Sequence, residues 1–306
     1  MSKYESRLGI DQMLNGVTKV LISGMGGGGD VLTALHVRWA LEKVAPHVHW
    51  IQAGVTGAPI AHFEGIELIN ACSGWVTERS RSSPPHRLIE SVVAKQLQHK
   101  VFLLSCYYGV KRMIRSLNRL IEAEHIEMAI FIDGGTDSLA FKGCTIASPV
   151  EDTMALAALG LGDFSAPLKY RVAGVSVVGS DYEMSLTEIS NQLLKIAKAG
   201  GYLGGTFFPV ERLSAYSEIV SAALQVYTTA TAQAPLLVTD TPFKRNQDHP
   251  IEPATNGFQL ATFLFDAKIA AEVGNDYTHL ILDLRDREAV QEALFTAMQN
   301  SSAEKR

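Results

Sequence analysis

The 306-residue chain has little cysteine, no long apolar run and no block of one charge, and each scarcity removes a class of function. Its three cysteines, Cys72, Cys106 and Cys144, are widely and unequally spaced. They form neither a disulfide framework nor a CxxC redox or zinc motif, so a reducing cytoplasm is the expected compartment. No apolar stretch approaches the roughly 20 residues that span a bilayer. Met1 to Gly16 lacks the basic start and apolar run of a signal peptide, so no membrane partner is expected. The net charge of −5 is spread along the chain, and basic residues gather only in short mixtures such as Lys111-Arg112 and Lys244-Arg245. That argues against nucleic acid as a partner. The nine histidines show no HExxH spacing, and Gly174-Val175-Ser176-Val177-Val178 lacks the second glycine of a nucleophile elbow, which disfavours a serine hydrolase.

What is present is a chain 47% apolar and 19% charged, enough for a full core. One α/β domain over residues 1–306 is expected, with residues 1–16 as an N-terminal extension. Residues 234–256 form a long loop, a lid or a plain surface excursion, because Ala234 to Pro253 carries four prolines and a charged run. Short β-rich apolar runs alternate with segments of helical period, the pattern of a three-layer sandwich with a mostly parallel, Rossmann-like sheet. Strands are expected at Lys19–Ser23, His49–Ala53, Ile66–Ile69, Val101–Ser105, Met128–Ile132, Arg171–Val178 and His279–Leu284. Helices are expected at Val31–Val44, His86–Gln98, Val110–His125, Glu151–Leu159, Leu186–Ala199, Ser214–Thr229 and Gly257–Glu272. Ser148-Pro149-Val150-Glu151 and Ser185 with Glu188 have capping-box spacing, so these residues already have structural roles.

In open parallel sheets ligands bind beyond the carboxyl ends of the strands, which directs attention to the turns there. The first strand runs into Gly24-Met25-Gly26-Gly27-Gly28-Gly29-Asp30 and then an amphipathic helix. Backbone N–H groups of Gly26, Gly27, Gly28 and Gly29 at a helix N-terminus suit an anionic small molecule. Gly24, Gly26 and Gly29 fit GxGxxG, yet the second strand ends Gln52-Ala53-Gly54 with no acid for a ribose. Asp30 and Val31 also stand where a P-loop needs lysine and serine or threonine. Tight packing of strand on helix is the alternative use of these glycines.

The strand Met128–Ile132 leads into Asp133-Gly134-Gly135-Thr136-Asp137-Ser138, with Glu151-Asp152 beyond. Glycines between acids let both carboxylates fold toward one point, and hard cations such as magnesium or calcium prefer such oxygens. Asp133, Asp137 and Asp152 are the candidate metal ligands; Asp30, Asp133 and Asp137 are the candidate catalytic acids and bases. Gly134, Gly135, Thr136 and Ser138 are candidate ligand contacts. Aspartate and serine are also ordinary turn formers, which is the plain alternative. Parallel topology puts both turns on one edge, so Asp30 and Asp133 should come within about 10 Å of each other.

The segments Gly26–Asp30, Asp133–Leu139 and Ser148–Asp152, in this order and spacing, resemble the uncharacterised family catalogued as domain of unknown function 1152, over most of the chain. Between the last two segments the family pattern has Gly-Asp-Glu, where this chain has Gly143-Cys144-Thr145, so two acids of that pattern are missing. The resemblance implies a fold and no established activity.

Two further features sit at strand ends. Cys106, before a helix bearing Lys111, Arg112 and Arg115, is either a low-pKa nucleophile or a buried structural thiol. Tyr107, with Tyr108, offers a ring-stacking surface. Gly179-Ser180-Asp181 adds a polar wall or is a simple turn. Together these features suggest a hydrolase or group-transferase acting on a nucleotide, nucleoside or sugar-phosphate-like molecule. The alternative is a non-catalytic nucleotide or metabolite binder. A homodimer is the expected assembly.

Overall fold

In the computed structural model, residues 8–27, 29–83, 88–144, 146, 149–165, 168–180, 183–226, 235–236 and 257–303 are described. Val20-Leu21-Ile22 is apolar on both faces because helices cover the first strand from both sides. Val20 and Ile22 of β1 (Lys19–Gly24) pack with Val37 and Leu41 of α2 (Asp30–Val44). Leu21 packs on the opposite face with Met113 and Leu117 of α4 (Val110–Glu124) and Met154 of α5 (Val150–Leu161). The alternation of period two in β1 thus feeds two cores from one strand.

Five strands run parallel, in the order β9 (Tyr170–Ser176), β8 (Met128–Asp133), β1, β2 (His49–Thr56) and β7 (Val101–Ser105). Antiparallel strands extend both ends: β11 (Ala261–Asp266) and β10 (Tyr202–Phe207) beyond β9, β5 (Ser73–Val76) and β4 (Glu67–Asn70) beyond β7. The nine strands form one sheet, and β3 (Phe63–Glu64) pairs with β6 (Arg81–Ser82) in a separate antiparallel pair. Helices α2, α3 (Glu90–Leu97) and α7 (Leu213–Leu224) cover one face, and α4, α5 and α6 (Leu186–Lys198) the other. The architecture is the expected three-layer α/β sandwich.

The antiparallel ends are where the sequence misled. The segment expected as a strand at His279–Leu284 carries the short helix Thr278–Ile281, and the helix expected over Gly257–Glu272 contains strand β11. Strands β5 and β10 gave no clear signal. Short apolar runs do not separate strand from buried helix by period alone, and β10 is diluted by Gly204 and Gly205. At the amino end, Ile10–Asn15 forms a short helix α1 that buries Ile10, Met13 and Leu14. Most of the proposed lid at 234–256 lies outside the described residues, as do Gly28, Ser148 and Asp181. The capping box at Ser185 is formed: the Glu188 N–H donates to Ser185 Oγ at 3.3 Å, and the Ser185 N–H donates to Glu188 Oε2 at 2.9 Å.

Candidate functional site

Strands β1 and β8 are neighbours, with Gly24 opposite Ile132, so the turns that follow them leave the sheet side by side. After β1, Gly29 takes φ +124°, a conformation that only glycine adopts without strain, and this reversal makes Asp30 the first residue of α2. There Asp30 accepts a 2.8 Å hydrogen bond from the Gly26 N–H through Oδ2. After β8, the Ser138 N–H donates at 2.8 Å to Asp133 Oδ2, closing the acidic turn on itself. Asp152, in the first turn of α5, comes down between them.

The three side chains of Asp30, Asp133 and Asp152 each place a carboxylate oxygen within 4.8 Å of the others. All are buried, at 6%, 2% and 7% exposure, so water screens their repulsion poorly. Asp152 bears the consequence. Burial first, then the charges of Asp133, Asp30, Asp137 and Glu151, push its carboxyl well above the ordinary aspartate range. Its Oδ1 is buried with no hydrogen-bond partner among the described residues, and so is Thr33 Oγ1, one turn beyond Asp30. Glycine makes the crowding possible at two points. A Cβ on Gly26 would lie 2.6 Å from Asp152 Oδ2, and one on Gly134 would lie 2.6 Å from Asp30 Oδ1 and 2.7 Å from Thr33 Oγ1.

This arrangement decides which of the sequence candidates meet. Asp30, Asp133 and Asp152 converge, and Asp137 stands close enough to act on Asp152 by its charge without joining the tight group. The Gly26 N–H is taken by Asp30, whereas Gly27 is exposed and open, and a Cβ there would meet nothing within 4 Å. Gly135, Thr136 and Ser138 are buried in the acidic turn, where the Thr136 carbonyl accepts from the Leu139 N–H. Asn275 locks that turn to α5 by donating to the Ser138 carbonyl at 2.9 Å and to Thr153 Oγ1 at 3.2 Å. No sequence signal pointed to Asn275. Thr33 had one, since position i+3 on a helix shares the face of Asp30.

Over residues 21–301 the sequence matches the family described as "Protein of unknown function (DUF1152)". The chain belongs to this family. No curated protein and no solved structure matches it. In this family member Tyr107 is placed after β7, its ring edge-on to Tyr108 at 5.1 Å between centroids. Cys106 is fully buried, and burial followed by the Glu151 charge raises its thiol well above the ordinary range. A thiol held in its protonated form is a poor nucleophile, so the structural reading of Cys106 holds. Glu151, next to Asp152, is satisfied separately by the guanidinium of Arg287 at 2.7 Å. Among the described residues no helix is long and apolar enough to cross a membrane.

Proposed function

We propose that the chain is a divalent-cation-dependent enzyme, a hydrolase or group-transferase acting on an anionic small molecule of the nucleotide, nucleoside or sugar-phosphate class. The observation that carries this reading is the convergence of Asp30, Asp133 and Asp152, with one buried oxygen of Asp152 lacking a hydrogen-bond donor among the described residues. Three buried carboxylates at this spacing must hold protons or share a cation. A hard ion such as magnesium or calcium satisfies the oxygens that protons would otherwise occupy. Such an ion supplies charge stabilisation and an acidified water. In this reading Asp137, beside the tight group, would serve as the general base, and the exposed Gly27 would offer its N–H to the anionic group of the substrate.

The alternative, a non-catalytic metabolite binder, has one observation in its favour. Asp30 and Asp133 each spend an oxygen on the backbone of their own turn, as structural acids do. A homodimer in the cytoplasm completes the proposal as its working assembly.

Metal analysis of the purified protein, with melting curves in magnesium, calcium and manganese, tests the first step. A rise in melting temperature that is lost in Asp133→Asn supports the ion. Hydrolysis of a nucleotide and sugar-phosphate panel then separates enzyme from binder. An unchanged melting curve in all three ions leaves the acids as turn formers and defeats the proposal.

A further inference from the structure

The same edge of the sheet carries a second, oppositely charged feature. The turn joining β4 to β5 sits at the carboxyl end of β7, where the Ser105 N–H donates to the Cys72 carbonyl at 2.7 Å. Helix α4 begins a few residues after β7 and lies against that turn, its Ser116 Oγ donating to Asn70 Oδ1 at 3.1 Å. Between them is a surface cavity of about 290 Å³, with Asn70 and Cys72 on one side and Arg112, Arg115 and Arg119 on the other.

Spacings of three and four put the three guanidinium groups on one helical face, where like charges repel. They also oppose the helix dipole. Lys111, Arg112 and Arg115 occupy the first two turns of α4, and the first turn holds no acid. Lys111 is neutralised by Asp283 at 2.7 Å. Arg112, Arg115 and Arg119 have no carboxylate partner among the described residues. Arg112 instead sits beside the Cys72 thiol, close enough for its charge to act on it, and lies 5.3 Å from the centre of the Tyr108 ring, while Arg115 Nε donates to the Lys111 carbonyl at 3.3 Å. A chain with net charge −5 has acids to spare, yet among the described residues none lines this cavity. Arg112 also borders an adjoining cavity of about 260 Å³ walled by Tyr107, Tyr108, Arg285, Asp286 and Glu288.

We infer that the cavity between α4 and the β4–β5 turn is a phosphate-binding site for a small ligand bearing two or more phosphate groups, held by Arg112, Arg115 and Arg119. Guanidinium groups match phosphate oxygens in bidentate geometry, and the concave form suits a compact anion better than an extended polymer. The ligand is an inorganic polyphosphate or a phosphate ester whose ring rests on Tyr107 and Tyr108. This site is independent of the acidic centre and of any activity there.

Calorimetric titration of the full chain at low salt, in chelator, with tripolyphosphate and with ATP as probes, tests the assignment. Binding of either probe is expected, weakened about tenfold or more in Arg112→Ala/Arg115→Ala and less in Arg115→Lys alone, which keeps the charge but not the guanidinium fork. Equal affinities identify the phosphates as the whole determinant; tighter binding of ATP, with the excess lost in Tyr108→Ala, identifies an ester. The exposed arginines can be truncated without opening the core, and a melting curve confirms folding. Asp152→Asn should leave both affinities unchanged. Absence of binding, or binding indifferent to the arginine changes, overturns the inference. Loss of binding in Asp152→Asn assigns the anion to the acidic centre and overturns it equally. Binding of a single-stranded oligonucleotide alone, with neither small probe, would make the face a polymer contact and also overturn it.

Discussion

A carboxylate buried among carboxylates is costly to ionise, and Asp152 is such a group. Its raised pKa fixes the sign of a pH effect. Between the ordinary value of 3.8 and the raised one, the folded state binds the proton more tightly than the unfolded state, so stability falls as pH rises through that interval. In chelator the wild type should therefore lose melting temperature as pH rises above 3.8, and Asp152→Asn should lose less, measured by calorimetry. Identical slopes would show that the proton is shared elsewhere in the group. The glycines give a second residue-scale prediction. Gly26→Ala places a methyl 2.6 Å from Asp152 Oδ2, whereas Gly27→Ala meets nothing within 4 Å. The first should cost about 1–3 kcal/mol in denaturant unfolding and abolish any cation response, and the second should change stability by no more than about 1 kcal/mol. Equal effects would mean that the turn relaxes freely around its acids.

At the scale of elements, the contact between β2 and α3 hides a titrating group. Gly54 lacks a side chain where Glu90 of α3 approaches, and a Cβ there would lie 2.5 Å from Glu90 Oε1. Burial raises the Glu90 carboxyl from 4.5 to about 7. The sign is the same as for Asp152: stability is present below pH 4.5 and falls as pH rises to about 7. Glu90→Gln should remove this fall, gaining roughly 3 kcal/mol or less at pH 8 relative to its effect at pH 4 in urea melts. A constant difference between the two proteins across that range would place Glu90 in contact with solvent. Which elements were legible from sequence follows from their burial. The parallel strands β1, β7 and β8 are apolar on both faces and stood out. Of the antiparallel end strands only β4 coincides with an expected strand, Ile66–Ile69; β10 is half glycine or polar, and β11 falls within a segment expected as a helix. The acidic site was legible in part, since Asp30, Asp133 and Asp152 each lie in a strand-end turn or at a helix start. Asn275, Arg287 and Gly54 act through tertiary contacts with partners distant in sequence, and no local pattern encodes such a pairing. The burial of Glu90 was hidden for the same reason.

Across the whole molecule, one sheet joins every region described. The acidic group draws on β1, α2, β8 and α5, all from the first half of the chain, while β9, β10 and β11 complete the sheet from the second half. Register pairing is continuous from β1 through β8 and β9 to β11, with Gly24 opposite Ile132, Ile132 opposite Gly174 and Gly174 opposite Leu264. The core behind these strands is shared too: one cluster includes Leu21 of β1, Phe131 of β8, Val175 of β9 and Phe265 of β11. Separating the two halves would expose that cluster, at about 25 cal/mol per Å² of apolar surface, so neither half should unfold alone. The expected outcome is a single calorimetric transition. An ion that binds only the native state at a hundred times its Kd adds about 2.7 kcal/mol to the global stability. If the chain is one cooperative unit, amides of β11 that exchange through global opening should slow by the same factor as those of β1, about a hundredfold, in hydrogen-exchange mass spectrometry with magnesium. Protection confined to the segments around Asp30, Asp133 and Asp152, or two transitions of which the ion moves one, would divide the molecule into two units and tie the acidic centre to the first alone.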